Sequence, residues 1–219
     1  MLQIDLEPNE DLIAEPGAMV AMSRDIEIEA KMNASKNAGC LAFIVSFFAA
    51  MIRKVMGGES FFVNHFKAGQ GGSVWLAPTF SGGIAHRTLN NEKITLSSGA
   101  YLASSGDIDV DVKFGGIRGL LAKEGAFFLE VSGTGELWFN SFGGIEQVQV
   151  DGTYVVDNGH IVGFEGNLDY DITSAGGGAM GFFASGEGAV CEFKGQGTVY
   201  LQTRNVGAIV EWLVPILPN

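Results

Sequence analysis

Cysteine, proline, histidine and basic side chains are all scarce in this sequence. The 219 residues include 2 cysteines, 5 prolines and 3 histidines, and 13 lysines and arginines stand against 25 aspartates and glutamates. Cys40 and Cys191 do not form a C-x-x-C pair, which speaks against a zinc ribbon or a thioredoxin-like motif, and so few thiols suit a reducing compartment. The net charge of −12 disfavours a nucleic-acid partner, because phosphate binding needs clustered Lys and Arg. We therefore expect an acidic cytoplasmic protein that does not bind nucleic acid.

Long apolar segments are also rare, and the one that stands out is the uncharged run at residues 37–52. Its sixteen residues fall short of the roughly 20 that a membrane-spanning helix needs. Apolar side chains occupy nearly all faces of a helix drawn through it, so the segment must be covered. Three interpretations stay open: burial in the fold or in a subunit interface, shallow association with a membrane, and a true span. The candidate interface or membrane contacts are Leu41, Phe43, Ile44, Phe47, Phe48, Met51 and Ile52.

Glycine, by contrast, is abundant, with 32 residues in a chain that is 47% hydrophobic. Many glycines with few prolines are typical of short strands joined by tight turns. One glycine-led strand with an aromatic centre occurs three times, as G-S-V-W-L at 72–76, G-E-L-W-F at 135–139 and G-T-V-Y-L at 197–201. The copies lie 63 and 62 residues apart, a spacing that indicates one repeated β unit. The N-terminus, residues 1–8, alternates apolar and polar residues and is predicted to be a strand, not a secretory signal.

A second motif precedes each aromatic strand, as G-A-M-V-A-M at 17–22, G-A-Y-L-A-S at 99–104 and G-T-Y-V-V-D at 152–157. The two motifs predict three pseudo-repeats, at 17–98, 99–151 and 152–205, in a single all-β domain spanning 1–219. A few short antiparallel strands cannot bury their own edges, so we expect the repeats to pack around a pseudo-threefold axis as a β-sandwich or barrel-like domain. The predicted shared core contains Trp75, Trp138 and Tyr200, with a second layer of Phe62, Phe128 and Val190 or Cys191.

Acidic residues alternate with β-branched residues in the strands after the second motif. Asp107, Asp109 and Asp111 share one face of a strand. An acidic rim for Ca²⁺ or Mg²⁺ would add Glu27, Glu29, Asp169 and Asp171, although the sequence has no EF-hand loop. The histidines, which are His65, His86 and His160, lack metal-binding spacing, and there is no G-x-S-x-G elbow. We therefore expect no catalytic, cofactor-binding or metal-binding residue.

Seven stretches together resemble the DUF124 family, which is related to the fungal altered-inheritance-of-mitochondria proteins. They are E-P-G-A-M-V-A-M at 15–22, G-G-E-S-F-F at 57–62, G-G-S-V-W-L-A-P at 71–78, G-A-Y-L-A-S at 99–104, K-E-G-x-F-F-L-E-V-S-G-T-G-E-L-W-F at 123–139, V-D-N-G-H-I-V-G-F at 156–164 and G-x-G-T-V-Y-L-Q-T-R at 195–204. The resemblance implies a TRAP-like (tryptophan RNA-binding attenuator protein-like) β fold of three pseudo-repeats that assembles as a homotrimer. It brings no catalytic residues, because the family has none assigned.

The sequence predicts a non-enzymatic, oligomeric β scaffold or interaction protein with an unidentified protein partner. The first alternative is a module for a small ligand or a lipid surface, which would use the apolar connector 39–56 and make the protein peripherally membrane-associated. The second alternative is a metal-dependent enzyme that uses the acidic strands and His160. We expect the apolar C-terminal segment Ala208–Leu217 to pack onto the domain or onto a neighbouring subunit.

Overall fold

The computed structural model describes residues 1–32, 62–97, 99–114, 127–174 and 189–217. These residues form twelve strands, one α-helix and two single-turn 3₁₀ helices. The strands are β1 (Leu2–Leu6), β2 (Glu10–Ala14), β3 (Met19–Met22), β4 (Ile26–Met32), β5 (Phe62–Ala68), β6 (Gly72–Leu76), β7 (Ile84–Ser97), β8 (Tyr101–Phe114), β9 (Phe127–Asn140), β10 (Ile145–Asp157), β11 (Ile161–Ser174) and β12 (Ala189–Gln202). The helix α1 spans Val206–Leu213, and the 3₁₀ turns span Asn158–His160 and Val214–Ile216.

The strands pair in antiparallel fashion and form two sheets. The larger sheet has nine strands in the order β10-β12-β11-β7-β9-β8-β2-β5-β4, and the smaller has three in the order β1-β6-β3. Over the described ranges both sheets are open, because the larger ends at β10 and β4 and does not close into a barrel. The predicted all-β, antiparallel class is confirmed.

One strand order occurs in three consecutive units of the chain. Unit 1 comprises β1–β6, unit 2 comprises β7–β9 and unit 3 comprises β10–β12. In units 2 and 3 the last strand of the sequence lies between the two earlier ones. Unit 1 has the same order twice, as β1-β6-β3 and β2-β5-β4, because each of its long strands is divided in two. The glycine-led aromatic motif lies in a central strand each time, β6, β9 and β12; the arrangement of the units around a threefold axis stays a prediction.

The second sequence motif marks the same structural place only twice. Residues 17–22 and 99–104 lead into β3 and β8, the second strands of their units. Residues 152–157 instead lie in β10, the first strand of unit 3, and the segment that leads into β11 is 159–164. The assignment of the third copy from sequence is therefore wrong. Both strands carry an apolar run after a glycine, and this local pattern does not specify which neighbour a strand pairs with.

The units join where the second strand of one lies beside the first strand of the preceding one. At junction 1/2, β8 pairs with β2 from Leu12↔Ser105 to Ala14↔Ala103. At junction 2/3, β11 pairs with β7 from Ile94↔Glu165 to Leu96↔Gly163. Each junction therefore consists of a short ladder of three residue pairs.

Each unit has its own apolar cluster, and two of the clusters include side chains from the next unit. The unit 1 cluster includes Leu102 and Ala103 of unit 2. The unit 2 cluster includes Val162 and Tyr200 of unit 3. The unit 3 cluster includes Phe128 of unit 2. Burial at the junctions therefore holds the units together, with the short ladders setting their register.

The three aromatic side chains of the central strands do not meet in one interior. Trp138 packs against the unit 1 cluster, and Tyr200 is buried in the unit 2 cluster, 5.2 Å from the ring of Phe139. Trp75 is half-buried and belongs to none of the three clusters. The predicted shared core is wrong because side chains alternate along a strand, so the residues on either side of each aromatic ring face the unit's own interior. Of the predicted second layer, Phe128 and Cys191 are buried, and both belong to the unit 3 cluster.

Glycines allow the second and central strands of units 2 and 3 to approach closely. A Cβ on Gly135 would lie 2.1 Å from the carbonyl oxygen of Ser105, and a Cβ on Gly197 would lie 2.2 Å from that of Glu165. The backbone of Gly197 is not in the left-handed region, so its requirement for glycine comes from the close approach alone. The two glycines occupy the same place in their aromatic motifs, which explains why glycine leads the motifs of units 2 and 3.

Three alanine substitutions distinguish the effect of close strand approach on stability from the effect of backbone conformation. Gly197→Ala forces a Cβ against a backbone carbonyl, and we expect a loss of at least about 3 kcal/mol in unfolding free energy. Gly152→Ala has open space but a φ of +111°, so it should cost about 1–2 kcal/mol. Gly99→Ala meets neither obstacle and should be neutral or slightly stabilising. Urea unfolding of the three variants measures the order, and a Gly197→Ala protein as stable as Gly99→Ala would contradict it.

Candidate functional site

The seven candidate contact residues predicted in the first apolar connector, Leu41 to Ile52, lie outside the described residues. The other two apolar connectors, 115–121 and 176–183, also lie outside them. Among the helices that are described, none is long and apolar enough to cross a membrane. The predicted interface or membrane role of the connector 39–56 therefore stays a prediction.

The carboxylate ladder on β8 has the predicted alternation. Ile108 and Val110 are buried in the unit 2 cluster, and Asp107, Asp109 and Asp111 alternate with them on the other face. Across 1–32, 62–97, 99–114, 127–174 and 189–217, no three His, Cys, Asp or Glu side chains gather where they could hold a metal ion. At the far end of the sheet, Glu29 accepts a hydrogen bond from Lys67 at 2.8 Å and pairs with Lys31 at 3.1 Å. These two lysines lower the pKa of Glu29.

The three histidines lie on different elements and have different neighbours. His86 on β7 stacks against Trp138 with ring centroids 5.3 Å apart and hydrogen-bonds Glu136. His160 donates from Nδ1 to the carbonyl oxygen of Gln202 at 2.7 Å. His65 on β5 has its pKa lowered, first by partial burial and then by the charge of Lys31. None of these interactions joins one histidine to another.

Cys191 is fully buried in the unit 3 cluster. Burial and, to a lesser extent, the charge of Asp171 raise the pKa of its thiol to about 12. A nucleophilic cysteine needs a lowered pKa and access to solvent, and this thiol has neither. It acts as a small apolar residue, as its sequence context indicates.

A polar cleft of about 840 Å³ lies at junction 2/3. At its base, Glu165 accepts hydrogen bonds from Arg87 Nη2 at 2.9 Å and from the Tyr200 hydroxyl at 2.7 Å. Glu165 is largely buried, Tyr200 is buried, and Arg87 Nε is buried without a hydrogen-bond partner. The remaining lining residues are Asn91, Glu92, Lys93, Asp107, Asp109, Ser132, Gly133, Gly166, Gly197 and Thr198.

The polar triad of this cleft has an uncharged counterpart at junction 1/2. Arg87 lies opposite Leu137 in the same register in which Ile4 lies opposite Val74. The positions of Glu165 and Tyr200 are occupied there by Ser105 and Trp138. Packing alone therefore does not require a buried ion pair at a junction.

In the triad, Arg87 and Glu165 form an ion pair, and the Tyr200 hydroxyl is a neutral hydrogen-bond donor to Glu165. Burial, and then the hydrogen bond to Glu165, raises the pKa of Tyr200, so its hydroxyl stays protonated and donates. Burial acts to lower the pKa of Arg87, but the charge of Glu165 and its hydrogen bond to Arg87 act in the opposite direction, and the pKa rises. The side-chain hydrogen bonds of the triad connect β7 of unit 2 with β11 and β12 of unit 3. Sequence reasoning did not single out Arg87 or Glu165, because each alone resembles a solvent-exposed charge.

Strand β3, the first half of the second strand of unit 1, is exposed where the equivalent residues of units 2 and 3 are buried. All four residues of β3 are exposed. Val20 is 55% exposed, whereas the residues in the same place of units 2 and 3, Leu102 and Val162, are 0% and 1% exposed. None of the described strands pairs with the outer edge of β3. An apolar sheet edge is thus left uncovered by the strands that the structure describes.

The C-terminal segment is a second exposed apolar feature. Asn205 caps α1 by accepting a hydrogen bond from the Gly207 amide at 2.7 Å, but no residue of the helix is buried. The exposed apolar residues are Val206, Ile209, Val210, Trp212, Leu213, Val214, Ile216 and Leu217. The expected packing of this segment onto the domain is therefore not found among the described residues, and packing onto a neighbouring subunit stays a prediction.

The family of the chain follows from its similarity to known proteins. A family model described as "Mitochondrial biogenesis AIM24" matches residues 1–204. The chain belongs to the AIM24 family. It is 31% identical over 222 residues to an uncharacterised protein of Streptococcus pyogenes serotype M6, covering 100% of this chain and 87% of that protein. The crystal structure of a protein from Streptococcus pyogenes, a structural genomics target, matches with a TM-score of 0.78 and 30% identity, covering 98% of this chain and 93% of that chain.

Membership of the AIM24 family confirms the resemblance found in the sequence motifs and supports the all-β fold. The family description and the relatives carry no assigned catalytic or ligand-binding residues to this chain. The candidate sites of this AIM24 protein are therefore those that its own geometry offers: the polar cleft at junction 2/3, the β3 edge and the C-terminal segment.

The polar triad gives a stability prediction for this AIM24 protein. Glu165→Gln removes the carboxylate beside a partly buried Arg87, and we expect unfolding free energy to fall by about 1–3 kcal/mol. Glu29→Gln, which removes an exposed carboxylate from its two lysines, is the matched control and should change little. The double variant Arg87→Ile/Glu165→Ser imitates junction 1/2 and should recover part of the loss. Equal urea midpoints for Glu165→Gln and Glu29→Gln would show that the triad does not hold the junction.

Proposed function

We propose that this AIM24 protein is a self-associating β scaffold whose role is to interact with other proteins, not to catalyse a reaction. The homotrimer implied by the family resemblance is the assembly we favour. The observation that carries the proposal is the exposed second strand of unit 1. Its counterparts in units 2 and 3 are covered by a neighbouring strand, whereas none of the described strands covers β3.

The physical cost of an open apolar edge supports this proposal. A strand edge presents unpaired backbone N–H and C=O groups, and soluble proteins usually protect such edges with charge, proline or short length. Here β3 is short, but its side chains are Met19, Val20, Ala21 and Met22, with no charge among them. Burying a valine-sized side chain contributes about 1.5–3 kcal/mol, so covering this edge is favourable.

Two matched lysine variants test the proposal. Val20→Lys places a charge on the β3 edge, while Val210→Lys places one on α1; the two valines are 55% and 50% exposed. In sedimentation velocity we expect the wild type and Val210→Lys to have three times the 23.2 kDa mass of the chain, and Val20→Lys to be monomeric. A monomeric wild type at micromolar concentration would refute self-association.

A second function, binding to a lipid surface, is favoured by the C-terminal segment. Residues 206–217 expose eight apolar side chains, and Trp212 is 68% exposed. Glu211 is the one charged residue in this stretch, and tryptophan partitions favourably into the bilayer interface. Because the protein carries a charge of −12, a zwitterionic surface suits it better than an anionic one.

Vesicle flotation tests this second function with the same variants. The wild type and Val20→Lys should float with phosphatidylcholine vesicles, and Val210→Lys should remain at the bottom, because a lysine in the apolar stripe opposes burial in the bilayer interface. Flotation of Val210→Lys to the same extent as wild type, or no flotation at all, would remove this candidate.

A further inference from the structure

The two junctions within the chain follow one rule: the first half of a second strand lies along the last part of the preceding unit's first strand. Of the strand ends that this rule would join, the first half of the second strand of unit 1 and the last part of the first strand of unit 3 remain without such a partner in the described chain; the sheets also end at β1 and β4, which the rule does not involve. The first strand of unit 3, β10, ends the larger sheet, and the second strand of unit 1, β3, ends the smaller. Within the described chain these two strands do not pair with each other, so a first-strand edge and a second-strand edge both remain open.

The register of the missing junction can be derived from the two that exist. Ala103 and Gly163 each lie beside the aromatic residue of their central strand, and Ala21 lies beside Trp75 in the same way. On the first strands, Glu92 pairs with Gly133 and Gly152 pairs with Gly195, which are glycines of the central strands. Leu96 and Val156 lie four residues after Glu92 and Gly152, so they occupy equivalent positions. Because Leu96 pairs with Gly163, the rule places Val156 opposite Ala21. It also places Val155 opposite Met22 and Tyr154 opposite Ser23.

Several side chains at these positions are apolar and exposed, as expected at a junction whose partner strand is absent. Tyr154 and Val155 on β10 are 38% and 53% exposed, whereas Ile94, the counterpart of Tyr154 at junction 2/3, is 1% exposed. On β3, Met22 is likewise an exposed apolar residue, whereas Val156 is already buried in the unit 3 cluster, as Leu96 is in the unit 2 cluster. Both edges therefore offer apolar side chains together with free backbone groups, and neither carries a charge at the paired positions.

We propose that β3 of one copy pairs with β10 of the next copy, in the register just derived, and so forms a third junction between chains. This inference rests on the self-association proposed above and names its contact. The contact joins two different surfaces, so it is head-to-tail, and it produces a closed ring when the rotation between copies closes. A second copy is the occupant that fits, because each chain supplies both the edge and the strand that covers it.

Mixed disulfide formation tests this contact directly. Met22→Cys and Val155→Cys are made as separate chains in a Cys40→Ser background, with different affinity tags, and the buried Cys191 is retained. Opposed residues of an antiparallel pair have Cα atoms about 4.5–5.5 Å apart, within the range that a disulfide spans. On mild oxidation of the mixture we expect most of the limiting chain to form a product that carries both tags.

The control places the thiol elsewhere on the same strand. Gln149→Cys is also exposed on β10, but it lies six residues from Val155. Mixed with Met22→Cys, it should give at least tenfold less doubly tagged product. Equal yields for Gln149→Cys and Val155→Cys would mean random collision and would overturn the pairing.

The remaining outcomes separate this inference from the proposed function. If sedimentation shows oligomers but no doubly tagged product forms, the pairing is wrong while self-association stands. If the chain is monomeric and the double variant Met22→Cys/Val155→Cys forms an internal disulfide, β3 and β10 close within one chain, and both the pairing between copies and the scaffold proposal fail. If a foreign protein covers β3 in place of a second copy, the purified chain stays monomeric and gives neither product, which also overturns the pairing.

Discussion

The close approach of strands at Gly135 and Gly197 is the constraint on which the rest of the structure depends. A side chain at either glycine would collide with a backbone carbonyl of the adjacent second strand. The equivalent residue of unit 1, Gly72, begins β6 just after the break that divides that unit's strands between two sheets. The same mid-strand position is thus a close crossing in two units and a break in the third. The residues whose carbonyl oxygens face these glycines, Ser105 and Glu165, also belong to the ladders that join the units, so the close crossings lie at the junctions.

The two junctions share a geometry but differ in chemistry, and the difference makes the order of units specific. Ile4 and Trp138 fill junction 1/2, whereas Arg87 and Glu165 pair at junction 2/3. If unit 3 were placed on unit 1, Glu165 would face Ile4 and keep only the hydrogen bond from Tyr200, so a largely buried carboxylate would lack a counter-charge. Such a carboxylate costs several kcal/mol, far more than a net ion pair contributes to stability. The triad is better understood as selecting the correct neighbour than as adding to stability.

Local patterns in the sequence predicted what is local in the structure. The alternation of Asp107 and Ile108 predicts which side of β8 is buried, and the glycine-led motif marks the central strands. Sheet pairing is long-range, so the motif at 152–157 does not reveal that its strand is the first of unit 3, and the pattern around Trp75 and Trp138 does not reveal that their rings share no interior. Arg87 and Glu165 are 78 residues apart, and only the pairing of β7 with β11 brings them together. The connector residues from Leu41 to Ile52 lie outside the part of the chain that the structure describes.

The acidity of the chain limits how copies can associate. With a charge of −12 on each copy, the long-range force between chains is repulsive, and it weakens beyond about 8 Å at physiological ionic strength. A contact held by surface ion pairs would have to overcome this repulsion with interactions that contribute little in water. The β3 and β10 edges carry no charge at the positions that would pair, so an attraction between them would be short-range and would consist of apolar burial and backbone hydrogen bonds. An association of this kind would depend on the register of the two strands, and it is compatible with a strongly acidic surface.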